Sequence, residues 1–176
     1  MLLTACLFAA LHAEPPVKGF AAQIDGLFEP TREQDLKDLF ATKLPHLRLV
    51  SVDFATANAT VAYDPLKTWP GQKAEKLPEL LSNELGGPSR GTFRAKPIST
   101  TPADKLATVE IAVAGCPCRG CSYAAYRMVF QLPGVERATA SFKAGKVTAL
   151  VDPTKADRAR LEEALKKGGV DVQPVK

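Results

Sequence analysis

No part of the 176-residue chain combines clustered lysine or arginine with interleaved aromatics. The formal charge is only +4, and the 23 basic residues are scattered among 19 acidic ones. A nucleic-acid surface needs a basic stripe to neutralise phosphates, so no nucleic-acid partner is expected. Long apolar runs are missing too. The opening segment, residues 1–13 (MLLTACLFAALHA), is apolar but too short to cross a bilayer as a helix. No transmembrane helix is expected in the mature chain. Histidine is scarce, with two in all, His12 and His46, and neither lies near Cys116, Cys118 and Cys121 in sequence. With no second C-x-x-C motif either, a closed four-ligand zinc site lacks donors. Cysteine itself is limited to four residues. Cys116, Cys118 and Cys121 stand too close together to staple a fold, so they mark a site.

The opening segment resembles the hydrophobic part of a secretory signal, ending in a small residue before Glu14, Pro15 and Pro16. Cleavage after Ala13 would place the mature protein in the periplasm or otherwise outside the cytoplasm, with three cysteines left. The basic residues that usually open such a signal are missing here. Leu3-Thr4-Ala5-Cys6 also resembles a lipobox, which makes a lipid anchor at Cys6 an alternative, and a cytoplasmic location is the third.

The chain repeats itself. Leu44-Pro45 and Leu132-Pro133 are 88 positions apart, as are Phe54 and Phe142, Thr60 and Thr148, and Asp64-Pro65 and Asp152-Pro153. Upstream the offset is 89, for Gly26 and Gly115, Leu36 and Ala125, and Leu39 and Met128. A period this long means two tandem domains rather than a solenoid. In the second copy, Val109, Ile111 and Val113 alternate with Glu110 and Ala112 as in a half-buried strand. Ala125, Met128, Val129 and Leu132 follow helical spacing until Pro133-Gly134 stops the helix. Residues 135–142 and 146–151 read as two strands joined at Gly145. Leu161, Ala164 and Leu165 mark a second helix that Gly168-Gly169 ends, and a last strand runs from Val170 to about Val175. The first copy follows the same course, with its last strand over 91–98 and about four extra residues around Trp69. The order strand, helix, strand, strand, helix, strand predicts two α+β, ferredoxin-like βαββαβ sandwiches. The boundaries read 1–13 for the signal segment, 17–98 for the first domain, 99–107 for the linker and 108–175 for the second domain.

The loop before the first helix of the second copy is Gly115-Cys116-Pro117-Cys118-Arg119-Gly120-Cys121. Residues three apart at the start of a helix project to one side, so the sulfurs of Cys118 and Cys121 can close on one ion. A helix N-terminus favours negative charge and Arg119 adds to it, which raises the thiolate fraction. Soft thiolates select soft ions, Cu(I) first, then Hg(II), with Zn(II) and Cd(II) possible. The glycine and the C-x-x-C, followed by Leu132-Pro133-Gly134-Val135, Asp152-Pro153 and Leu161 to Gly169, make this unit resemble the heavy-metal-associated domain family. That family includes copper chaperones, modules of metal-pumping ATPases and periplasmic mercury-binding proteins. The resemblance covers about 68 residues. It implies a non-enzymatic carrier, chaperone or sensor that exchanges metal with a metal-transporting membrane protein or an acceptor protein.

Cys116 and Pro117 stand where the family usually has Met and Thr. Cys116 is either a buried packing residue or a third metal ligand, and it could pair with a neighbouring cysteine under oxidising conditions. Where many members carry an aromatic after the last helix, this chain has Val170. The alternatives are a structural Cys118–Cys121 disulfide, a thiol–disulfide oxidoreductase attacking through Cys118, and a non-catalytic interaction module. In the first copy the matching loop, Gly26 to Arg32, places Glu29 at Cys118 and Arg32 at Cys121. No soft ligand remains, so that copy is expected to bind no soft metal. Glu29 and Arg32 are expected to form a surface ion pair, and Leu27-Phe28 is a candidate contact for a partner. His46 reads as a surface residue.

Overall fold

Residues 17–115 and 117–174 are described by a computed structural model. The signal-like segment, Cys6 and Cys116 lie outside the described residues. The first copy contains β1 (Lys18–Asp25), α1 (Arg32–Lys43), β2 (Leu47–Asp53), β3 (Asn58–Tyr63), α2 (Leu77–Gly86) and β4 (Arg94–Lys96). The second contains β5 (Ala107–Ala114), α3 (Arg119–Phe130), β6 (Val135–Ser141), β7 (Lys146–Val151), α4 (Arg158–Lys167) and β8 (Asp171–Val172). Each copy forms a four-stranded antiparallel sheet, ordered β2-β3-β1-β4 in the first and β6-β7-β5-β8 in the second. This is the ferredoxin-like order, present twice. Both last strands are shorter than the sequence suggests. The backbone around Gly91 has positive φ before β4 begins, and the apolar residues beyond Lys96 belong to the connection.

Strand alternation and helical spacing meet in two cores. Ile24, Leu36, Phe40, Val61, Leu81 and Leu85 fill the first. Ile111, Val113, Tyr126, Val129, Val147, Leu161 and Leu165 fill the second. The extra residues of the first copy, though exposed at Pro70 and Gly71, deliver one side chain to the core. Trp69 is buried against Phe20 and Tyr63, with ring centroids 6.1 and 5.2 Å away. Burying an indole stabilises the first copy by about 2–3 kcal/mol, which accounts for the added chain.

The two cores are not independent. Phe28 lies in the first copy's sequence but packs in the second core, with only 2% of its surface exposed. Its ring sits 5.4 Å from that of Tyr123 and 5.8 Å from that of Tyr126. Around this wedge the backbones join. The Ala140 N–H donates to Phe28 O at 3.0 Å, and the Gly26 N–H donates to Tyr126 Oη at 2.9 Å. Strand β6 carries a register shift between Val135 and Arg137 that leaves Glu136 out of the ladder. Such a bulge frees a carbonyl. Here the Glu136 carbonyl accepts from Gln23 Nε2 at 3.2 Å.

Arg137, beside the bulge, is 7% exposed and spans the junction. Its Nη2 donates at 2.8 Å to both Leu27 O and Phe54 O, and Nη1 donates to Ala138 O. Its guanidinium also lies 5.0 Å from the centre of the Phe54 ring. Burial lowers the Arg137 pKa, opposed by the nearby Tyr126 phenol and the carboxylates of Asp25 and Asp53. Carbonyls rather than a carboxylate satisfy most of this cation, and its Nε has no partner.

The sequence-level reading of the first copy therefore changes in two respects. Leu27 and Phe28 are buried, not exposed: Leu27 packs in the first core, and the partner that Phe28 meets is the second copy. Glu29 and Arg32 do not pair with each other. Arg32 bonds Asp35 and lies over the rings of Phe28 and Phe93, while Glu29 reaches across the junction. His46 is at the surface, as expected, with Nε2 3.6 Å from Glu84.

Candidate metal centre

The site grows from the end of β5. Gly115 has φ +150°, and a Cβ built there would stand 2.9 Å from the Phe142 ring. Only glycine lets the chain pass this ring into the loop. Pro117 and Cys118 are exposed, and Cys121 is half-buried. Cys118 has extended backbone, φ −88° and ψ 148°, and is the N-cap of α3. Its Sγ accepts the Cys121 N–H at 3.0 Å. A sulfur thus fills the place that a serine or aspartate oxygen usually takes at a helix start. One turn on, Ser122 is buried and its Oγ accepts the Phe142 N–H at 3.2 Å, tying the helix start to the end of β6.

Cys118 and Cys121 are bonded as a disulfide, with Cα atoms 5.3 Å apart. The arrangement is the oxidised form of the pair, and two electrons and two protons convert it to two thiols. The sulfurs so released share one face of the first turn of α3, where the free backbone N–H groups favour thiolate. Two thiolates at an exposed helix start can hold a soft ion with few ligands, or can exchange with another disulfide. No group of three His, Cys, Asp or Glu side chains placed to hold a metal occurs among the described residues. Cys116, the candidate third ligand, is outside that set. Val170 packs on the second core.

Arg119 is placed differently from the expectation that it supports the thiolates. Its guanidinium turns to the first copy, with Nε 3.2 Å from Glu29 Oε1 and Nη1 3.3 Å from Asp35 Oδ2. Part of its charge is answered there. Sequence reasoning missed Glu29 and Asp35 as neighbours of the site, along with Ser122, Phe142, Tyr126 and Arg137. The repeat offsets, which match Phe142 to Phe54 and Glu29 to Cys118, hinted at two of them. Contacts between the copies leave no periodic trace. Burial keeps the Tyr126 phenol protonated well above the usual tyrosine range, with the nearby Asp25 charge acting the same way and the Gly26 N–H opposing. Asp25 is itself raised by burial, against the pull of Lys96 3.7 Å away. The junction beside the cysteine loop thus keeps Tyr126 and Asp25 largely out of water.

No helix among the described residues is long and apolar enough to cross a membrane. No family model and no curated protein matches the chain. Among solved structures, the CopZ metallochaperone is similar over 38% of this chain and 100% of its own, at 24% identity and a TM-score of 0.37. Oxidized MerP from Ralstonia metallidurans CH34 is 20% identical, over 39% of this chain and 94% of its own, with a TM-score of 0.37. The water-soluble region of the P-type ATPase CopA from Bacillus subtilis covers 92% of this chain and 93% of its own, at 19% identity and a TM-score of 0.36. These scores lie below 0.5, and the fold assignment stands on the strand order of the two sheets. The site itself is Gly115 and the Cys118-x-x-Cys121 pair, set at the head of the first helix of a βαββαβ unit.

Proposed function

We propose that the second domain binds a soft heavy-metal ion, Cu(I) or Hg(II), through the thiolates of Cys118 and Cys121, and passes it to an acceptor by ligand exchange. The observation that carries this reading is the capping geometry. Cys118 Sγ accepts the Cys121 N–H at 3.0 Å at the start of α3, so one sulfur already sits where an anion is favoured. The exposed loop leaves room for a donor or acceptor sulfur to enter before the first has left, which suits transfer over storage. Zn(II) and Cd(II) prefer more ligands and bind less firmly in this reading. The partners are a metal-transporting membrane protein or an acceptor protein, met outside the cytoplasm.

Stoichiometric Cu(I) binding by the reduced protein, lost in Cys118→Ser plus Cys121→Ser, is the expected result. Wild-type protein that fails to hold Cu(I) against a weak competing chelator would sink the reading. Repeating the titration with Cys116→Ala shows whether that residue contributes a ligand. An unchanged affinity and coordination number would remove it from the site.

The bonded pair favours a second reading, thiol–disulfide exchange. The Cys118 thiolate would attack a substrate disulfide and form a mixed disulfide. Cys121 would then displace the substrate as a dithiol, leaving Cys118–Cys121 oxidised. Turnover of a model disulfide with a dithiol reductant, abolished by Cys118→Ser, would replace the metal reading with this one.

A further inference from the structure

We propose that the cysteine-free copy sets the charge that an incoming ligand meets at the metal loop, with Glu29 and Asp35 neutralising Arg119 so that anionic small-molecule carriers of the ion gain no electrostatic advantage. With the Cys118–Cys121 pair taken as the exchange site, these two carboxylates are specificity-determining residues supplied by the other domain. The carriers denied that advantage are polycarboxylates and anionic thiolate complexes.

Arg119 stands between the two cysteines with its side chain 56% exposed, and alone it would draw anions to the loop. Its guanidinium is held instead at 3.2 Å by Glu29 and at 3.3 Å by Asp35. Glu29 is fixed in turn. Its carboxylate accepts from Thr31 Oγ1 at 3.0 Å and follows directly after the buried Phe28 wedge. Asp35 also bonds Arg32, whose guanidinium lies 4.7 Å from the centre of the Phe93 ring. The four charges sum to zero. In the repeat frame, Glu29 occupies the position of Cys118. The residue that replaces a sulfur in one copy therefore answers the cation beside the sulfurs in the other.

Exposed ion pairs contribute little to stability, but charges fixed within a Debye length of a reactive atom change approach rates. Removing both carboxylates takes the cluster from zero to two positive charges, and removing Arg119 leaves one negative charge.

The test uses the reduced full chain carrying Cys6→Ser and Cys116→Ser, so that only the paired thiols react. Two aromatic disulfides serve as probes, dithiobis(nitrobenzoate), a dianion, and dithiodipyridine, which is neutral near neutral pH. Each probe is cleaved by a cysteine thiolate, and the second cysteine then releases the remaining aryl thiolate and closes the Cys118–Cys121 disulfide. The ratio of anionic to neutral rate cancels any change in thiol acidity. At low salt, Glu29→Gln plus Asp35→Asn should raise this ratio about three- to tenfold, and Arg119→Gln should lower it. Both changes should shrink toward wild type at about 0.5 M salt.

An unchanged ratio in the double variant at low salt, with its circular dichroism intact, overturns the proposal. So does a change that persists in full when Arg119→Gln is added, because the carboxylates would then not act through Arg119. The single variant Asp35→Asn, at a partly exposed position of α1, keeps the test decisive if the double variant misfolds. The ratio is measured without metal, so failure to bind Cu(I) would sink the transport reading and leave this result standing by itself.

Discussion

Replacing Phe28 by alanine removes a first-copy side chain from the second copy's core. Phe28 is 2% exposed and contacts Tyr123, Tyr126 and the Arg32 guanidinium. Truncating a phenylalanine at such a site costs about 3–5 kcal/mol. A domain pair of this size is stable by roughly 5–15 kcal/mol, so the loss is a large fraction of the whole. It should fall on the second domain and the junction, because the first core does not include this ring. The single tryptophan, Trp69, belongs to the first core and reports that domain alone. In urea, wild-type protein should lose tryptophan fluorescence and far-ultraviolet circular dichroism together. In Phe28→Ala the dichroism should begin to fall at lower urea while the fluorescence holds, as the second domain opens first. Coincident curves with a loss below about 1 kcal/mol would show that the copies do not share a core, and would refute the coupling argument.

Tyr126→Phe leaves the Gly26 N–H without its acceptor in a buried place and should cost about 1–3 kcal/mol, read by chemical denaturation. Because burial raises the Tyr126 pKa above its unfolded value, its contribution is complete below about pH 10 and is lost as pH rises further. Alkaline unfolding with the same midpoint in Tyr126→Phe and wild type would contradict this. Asp152 is held at about 2, first by its bond with Lys155 and then by the Thr154 hydroxyl and N–H. Its share of stability is present above the ordinary value of 3.8 and is lost as pH falls toward 2. Carboxyl titration by NMR should show the low midpoint, and Lys155→Met should raise it; a wild-type midpoint near 4 counts against the assignment. Gly115→Ala forces a Cβ onto the Phe142 ring and should lower stability by about 1–3 kcal/mol, with partial recovery on adding Phe142→Leu. Equal thermal midpoints for Gly115→Ala and wild type would show that the ring moves aside freely.

The fold was legible in the sequence because periodicity and repetition are local records. The offsets of 88 and 89 aligned two units, and strands such as 146–151 were read to the residue. The cysteine pair was legible for a similar reason, since two positions three apart at a helix start need no distant partner to be recognised. Trp69 was harder: it sits in an insertion with no counterpart in the second copy, and only its burial shows that it belongs to the core. Phe28, Arg137 and Arg119 were out of reach. Phe28 belongs to a core built mostly by residues about 100 positions later, and Arg137 bonds carbonyls, which every residue carries. Arg119 was given a local role because its neighbours in sequence are cysteines. Its neighbours in space are carboxylates of the other copy.

The way α3 is fastened has a mechanical consequence. Tyr123 and Tyr126 tie the body of the helix to the first copy, and Phe130 stacks on Tyr126 while meeting the Lys96 ammonium at 4.3 Å. The cysteines lie at the opposite tip, on the exposed first turn. With the body of α3 clamped and its first turn tied by Arg119 and Ser122, gain or loss of an ion under the proposed function should rearrange the loop and leave the two lobes still. A pair of dyes placed one on each lobe would then report the same separation with the ion bound or absent. A signal sent onward by this protein would have to be read at the loop itself.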